Sequence, residues 1–166
     1  MTTRRVFYSF HYEPDNWRAG QVRNIGVIDG NQPARDNDWE TVKRGGDAAI
    51  KKWITGQMYG RSCTVVLVGA STAGRKWINH EIVQSWDAGM GVVAIRIHGL
   101  KDASGNTASL GSNPLDCITH GASGNKLSTI AKCYTPSGAT SVERYDWIKK
   151  YLADAVEEAI GIRKAN

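Results

Sequence analysis

A chain of 166 residues, 41% hydrophobic and 22% charged, is long enough to bury its own core and too apolar to stay disordered. No apolar run approaches the roughly 18 residues of a membrane span, MTTRRVFYSFHYEPD is too short and too aromatic for a signal peptide, and Cys63, Cys117 and Cys133 form neither a C-x-x-C nor a zinc spacing. The formal charge of +5 is spread over small groups, at residues 4–5, 51–52, 149–150 and 163–164, which argues against a nucleic-acid partner and suits a small anionic ligand. The expectation is one cytoplasmic domain over residues 1–166, with reduced thiols and no metal.

In chain order, RRVFYSF (4–10) is β-branched and aromatic and predicts a strand. Residues 14–24 predict a helix opened by Pro14 and Asp15. IGVID (25–29) predicts a short strand, closed by the loop signal DGNQP. A long polar loop then runs to residue 46 and carries Trp39. Residues 47–58 predict a helix, with Ala49/Ile50 and Trp53/Ile54 at helical spacing. CTVVLVG (63–69) and GVVAIRI (91–97) are continuous apolar runs of strand length, the pattern of strands buried on both faces. Between them, STAGRKWINHEIVQSWDAG (71–89) predicts a turn and an amphipathic helix. Residues 98–139 are rich in Gly, Ser, Asn and Thr and show little period beyond a short strand near IAKCY (130–134). A loop of that length inside a domain is either functional or mobile. Thr140 and Glu143 form a capping box, and an apolar pair recurs every four residues from Trp147/Ile148 to Ala159/Ile160, with Gly161 as the expected stop.

Strands alternating with helices predict an α/β fold, a parallel sheet covered on both faces. Ligands of such sheets bind beyond the carboxyl ends of the strands. The candidates there are Ser9, Phe10 and His11, then Asp29 and the loop to Trp39, then Ser71 onward and His98. The usual strand-end chemistries fail the sequence. SFHYEPD has no dinucleotide-binding glycines, no phosphate-loop motif occurs, and VVLVGAS offers no phosphate-accepting aspartate. GASTA (69–73) approaches a hydrolase nucleophile elbow, but Ala73 replaces its second glycine, and nothing in the sequence brings His98 or His120 to Ser71. Ser71 reads as a helix N-cap, at a helix end whose free N–H groups can also hold a phosphate.

On a helical wheel Ile78, Ile82, Val83 and Trp86 mark the buried side of the 71–89 helix. Trp77 and Glu81 stack at i and i+4 on its border. Glu81 thus falls within two turns of the helix start, beside the strand ends. The helix dipole also favours an acid there, so periodicity alone leaves a surface charge and a site residue both open.

RRVFYSFHYEPDNWR, then Trp39 in a long loop, then CTVVLVGASTAGRKWINHEIVQS together resemble the TIR-like domains of the Thoeris anti-phage sensors, the ThsB branch, over roughly residues 4–100. The specific part is Trp77 followed four residues later by Glu81, after a buried strand and a Ser-containing turn. SNPLD (112–116) is similar to an Asn-Pro-x-Asp segment of that branch, and beyond residue 117 the likeness fades. The resemblance implies a flavodoxin-like fold with a five-stranded parallel sheet. It implies an enzyme that takes NAD+ as substrate, needs no cofactor, releases nicotinamide and makes a cyclic ADP-ribose isomer, which switches on a separate effector protein. It also implies a homo-oligomer when active, and gives no role to a membrane. It assigns catalysis to Glu81, and the nucleotide site to Ser9, Phe10, His11, Trp39, Ser71 and Trp77. A non-catalytic interaction module, or a nucleotide sensor, is the alternative reading.

A single carboxylate suits that chemistry. Nicotinamide leaves NAD+ as a neutral molecule and needs no general acid, while positive charge develops on the ribose as in other glycosidic cleavages. One fixed carboxylate stabilises that charge. Phe10, Trp39 and Trp77 would wall the pocket from water, which a cyclase must exclude. For Trp77, plain core packing is an equal reading.

Overall fold

The computed structural model describes residues 3–26, 28–30, 42–121 and 124–166. Trp39 lies outside the described residues. Five strands form one parallel sheet in the order β2-β1-β3-β4-β7: β1 (Arg5–Ser9), β2 (Asp29–Gly30), β3 (Cys63–Val68), β4 (Gly91–Arg96) and β7 (Cys133–Tyr134). This is the flavodoxin-like α/β arrangement. The strand order reverses at β1, whose neighbours are β2 and β3. A small antiparallel pair, β5 (Thr119–His120) and β6 (Asn125–Lys126), stands apart.

Every residue of β3 is buried, as its unbroken apolar run requires. The two-residue period then sorts the core. Val6, Tyr8, Val65, Leu67, Val93 and Ile95 face one way, under α1 (Tyr12–Arg23) and the last helix, α4 (Ser141–Ala165). Phe7, Val66, Val68, Val92 and Ala94 face the other, under α2 (Gly46–Met58) and α3 (Lys76–Asp87). Ser9 shares the face of Phe7, so it points beneath α2 and α3 rather than into the cleft beyond the strand ends.

Three helix expectations need correction. Asp15 opens no helix at the surface: α1 begins at Tyr12, and Asp15 turns inward with 1% exposure to meet Arg18, itself 4% exposed. Val83 is exposed, and its place in the buried stripe of α3 is taken by Ser85, which shares a hydrogen bond of 2.6 Å with Thr64 of β3. Gly161 does not stop α4. The last turn is held because Arg163 Nε donates to Trp86 O at 2.9 Å while its guanidinium lies 4.6 Å from the Trp86 ring centre. Half of the expected capping box is present at the other end, and its Glu reaches one residue further back than Thr140. Thr140 Oγ1 accepts from Glu143 N, and Glu143 Oε2 accepts from Ala139 N.

The weakly periodic residues 98–139 are stapled by arginines. Arg18 Nε donates to Leu100 O at 2.8 Å and its Nη2 to Asn106 O at 2.9 Å. Arg96 donates to Gly111 O and to Thr135 Oγ1, and Arg144 Nε donates to Gly138 O. The SNPLD segment makes a 3-10 turn, Pro114–Cys117, in which Asn113 Oδ1 accepts from Leu115 N. That turn drives Leu115 into the core beneath α3.

Gly69, just past β3, is a tight joint. A Cβ there would lie 2.1 Å from Asp15 Oδ2, and a Cβ on Gly111 would lie 2.0 Å from Gly69 O. Gly69→Ala is therefore expected to cost about 1–3 kcal/mol through overpacking. Urea denaturation measures it, and an unchanged midpoint would show that the joint has slack.

Candidate active site

A cavity of about 640 Å³ opens beyond the carboxyl ends of β1 and β3, where the strand order reverses. That size falls within the roughly 300–1,000 Å³ of ordinary ligand pockets. Phe10, His11, Tyr12 and Glu13 wall one side as β1 passes into α1. Ile50 and Trp53 of α2 form another wall. Ser71 and residues 73–78, as the chain enters α3, form a third, and Glu81 completes it.

The turn into α3 is built locally. Thr72 is fully buried and its Oγ1 accepts from Gly69 N at 2.8 Å, which closes the loop directly after β3. Gly74, at φ 82°, then takes the left-handed conformation that a side chain resists. The helix begins only at Lys76, with Arg75 in the N-cap position and no side chain capping it. Ser71 is thus not the N-cap that its sequence position suggests. It is exposed and sits in the loop, on the cavity wall. His98 packs against Arg144 and His120 against Trp86, so neither lines the cavity with Ser71.

Glu81 comes one turn after Trp77 on α3. Ser85 donates its hydroxyl to Glu81 O at 2.6 Å and shares a hydrogen bond with Thr64, which pins this turn of the helix to β3. The carboxyl is part-buried, with Oε2 wholly enclosed and without a hydrogen-bond partner. Burial pushes its pKa up to about 8, and the Ser9 hydroxyl beneath it offsets only part of that rise. Ser9 is fully buried and completes no hydrogen bond of ordinary geometry with the carboxyl, so it acts as a nearby dipole. No lysine or arginine pairs with Glu81 among the described residues.

Trp77 does two jobs. It packs against the cluster of Phe7, Ile50, Ile54 and Met58, and it also lines the cavity. His80 meets its ring edge-on, with ring centres 5.6 Å apart. His11, two residues past β1 in the N-cap position of α1, has Nδ1 enclosed and unpartnered. Burial first, and then the charge of Arg75, hold its pKa below the usual histidine value.

Of the residues singled out from sequence, Phe10, His11, Ser71, Trp77 and Glu81 share this cavity, and Ser9 lies beneath it. Lys43, Trp53, Arg75 and Lys76 also line it and were not nominated. Arg75 and Lys76 carried a legible signal, since they immediately precede a helix at a strand end. Among the described residues no group of three His, Cys, Asp or Glu side chains is placed to hold a metal.

The model of the Thoeris protein ThsB TIR-like domain matches residues 7–102, more than half of the chain and the whole of the cavity wall just described. The chain belongs to the ThsB TIR-like family. A ThsB1 protein of Bacillus cereus (strain MSX-D12), named as a cyclic ADP-D-ribose synthase, is 38% identical over 120 residues. That match covers 69% of this chain and 62% of the relative, so the chain spans less than two thirds of the relative's length. The ThsB TIR-like assignment agrees with the parallel five-stranded sheet. No helix among the described residues of this ThsB TIR-like chain is long and apolar enough to cross a membrane.

Proposed function

We propose that this domain breaks the N-glycosidic bond of NAD+, releases nicotinamide and closes the remaining ADP-ribose into a cyclic isomer. The isomer is then the diffusible signal to a separate effector protein in anti-phage defence. The observation that carries the reading is Glu81: a carboxyl with one oxygen enclosed, on a cavity wall at the strand-order switch, with no cation paired to it among the described residues. Membership of the ThsB TIR-like family and the name of the Bacillus cereus relative support the same reading.

The roles follow from charge. The nicotinamide ribose is the cation that Glu81 lacks. As the glycosidic bond lengthens, its electron pair leaves with nicotinamide and positive charge passes to the ribose, where an ionised Glu81 lowers its energy. Phe10, Trp53 and Trp77 give the cavity apolar walls, which keep water from intercepting the cation before ring closure. Copies of the domain assemble when active in this reading. The test is direct. Purified protein, and protein recovered from phage-challenged cells, is given NAD+, and nicotinamide and a cyclic ADP-ribose product are followed by mass. Absence of both products from both preparations overturns the proposal.

The pH profile supplies a second check. In the free protein burial raises the Glu81 pKa to about 8, so near neutral pH the ionised form is the minority. Accordingly kcat/KM is expected to rise about tenfold per pH unit below 8 and to level off above it. The bound substrate cation draws the carboxyl pKa down, so kcat should level off at lower pH than kcat/KM. A kcat/KM flat from pH 6 to 8 would assign the chemistry to another group.

A further inference from the structure

The cavity is electrically divided. Glu81 lies in its wall without a counter-cation among the described residues, Glu13 lines it beside His11, and Arg75, Lys76 and Lys43 are its cations. Lys76 is committed: its Nζ pairs with Asp47 and lies 4.9 Å from the Trp77 ring centre. Arg75 is different. It is exposed at the N-cap of α3 and makes no ion pair or side-chain hydrogen bond with any described residue. Its charge acts on His11, which lines the same cavity, and is opposed there by the smaller effect of Glu13, while His11 Nδ1 is enclosed without a partner.

We infer that Arg75 and His11 together hold the pyrophosphate of the dinucleotide, and so orient it with its nicotinamide ribose toward Glu81. The inference rests on the NAD+ reading of the cavity and adds a specificity-determining residue to it. A diphosphate carries two negative charges with several acceptor oxygens, and the planar guanidinium meets such a group with two parallel N–H bonds. The opening turn of α3 has no side-chain cap, so its dipole adds to the same field. Arg75 and a protonated His11 repel each other when the site is empty. An anion between them reverses that, so His11 gains its proton more readily on binding.

Two experiments test the subsite. In the first, NAD+ and nicotinamide riboside, which has the same scissile bond and no phosphate, are compared as substrates. Arg75→Ala is expected to raise KM for NAD+ by about 10–100-fold, the loss of one charge-assisted contact, with kcat within about threefold and riboside turnover unchanged. Arg75→Lys should recover part of the loss. Equal losses on both substrates, or an unchanged KM for NAD+, overturn the inference. The second needs no turnover. Inorganic pyrophosphate is titrated into the protein while the His11 ring is followed by NMR. Its pKa is expected to rise on binding in the wild type, and the binding should weaken by the same factor in Arg75→Ala. Pyrophosphate binding of equal strength in both proteins overturns the subsite. If the wild type leaves NAD+ uncleaved in both preparations yet binds pyrophosphate through Arg75, the NAD+ reading fails and the anion site stands.

Discussion

Glu81→Gln is expected to lower NAD+ turnover by at least about 10²–10³-fold, the usual cost of removing a group aimed at transition-state charge. Gln fills nearly the same space and keeps a polar end toward Ser9, so loss of packing does not explain such a drop. Linkage supplies the control. The folded pKa of Glu81 lies near 8, above its ordinary 4.5, so folding takes up a proton between those values. The contribution of Glu81 to stability is therefore fully present below pH 4.5 and lost as pH rises through 8. Gln cannot ionise, so Glu81→Gln should melt like the wild type at pH 5 and higher than the wild type at pH 8. For a domain of this size the gain is about 2–4 °C for each kcal/mol recovered. An inactive variant that melts higher at pH 8 separates chemistry from folding. Full activity in the variant would remove Glu81 from the reaction.

Arg18→Leu is expected to destabilise the fold by about 3–5 kcal/mol, the cost of breaking a buried ion pair by removing one partner. Arg18 spends its guanidinium on Leu100 O, Asn106 O, Pro14 O and Asp15 Oδ1, and Asp102 Oδ2 lies 3.7 Å away. Its removal strands carbonyl oxygens in the loop 100–106 and leaves Asp15 buried without a cation. Burial already holds the Asp15 pKa above its ordinary value, with Arg18 pulling it back down. Without Arg18 that pKa rises further, so the loss should be smaller at pH 4, where Asp15 can fold neutral, than at pH 7. Urea denaturation at the two pH values measures the difference. Replacing Asp15 and Arg18 together by apolar residues should cost less than Arg18→Leu alone, since no unpaired charge remains. A loss below about 1 kcal/mol at pH 7 would mean that water replaces the guanidinium.

The legible parts of the sequence were those where burial imposes a period. The unbroken apolar runs of β3 and β4 follow from burial on both faces, and the stripe of α4 and the pair Trp77 and Glu81 from one face meeting the core. Other parts depend on partners distant in the chain. Asp15 and Arg18 stand three apart on a helix, the spacing of a common surface pair, and only the packing of Gly69 and the loop 100–106 over them makes the pair internal. Residues 98–139 showed little period because arginines bonded to backbone carbonyls hold much of that segment. Ser71 looked like a cap because the turn after β3 is closed by Thr72 instead, which delays α3 to Lys76. Glu81 could be placed near the strand ends from sequence. That it lacks a neighbouring cation is a property of the folded cavity.

The double hydroxyl clasp from Thr64 through Ser85 to the Glu81 carbonyl has an evolutionary corollary. The acid inherits its position from the central strand, whereas Ser71 and residues 73–75 contribute wall, around a turn that Thr72 and Gly74 fix. The exposed side chains of that wall, Ser71 and Arg75, can change, and with them which nucleotide is admitted, while the reacting centre stays where it is. Substrate choice and bond cleavage are thereby housed in separable pieces of the polypeptide.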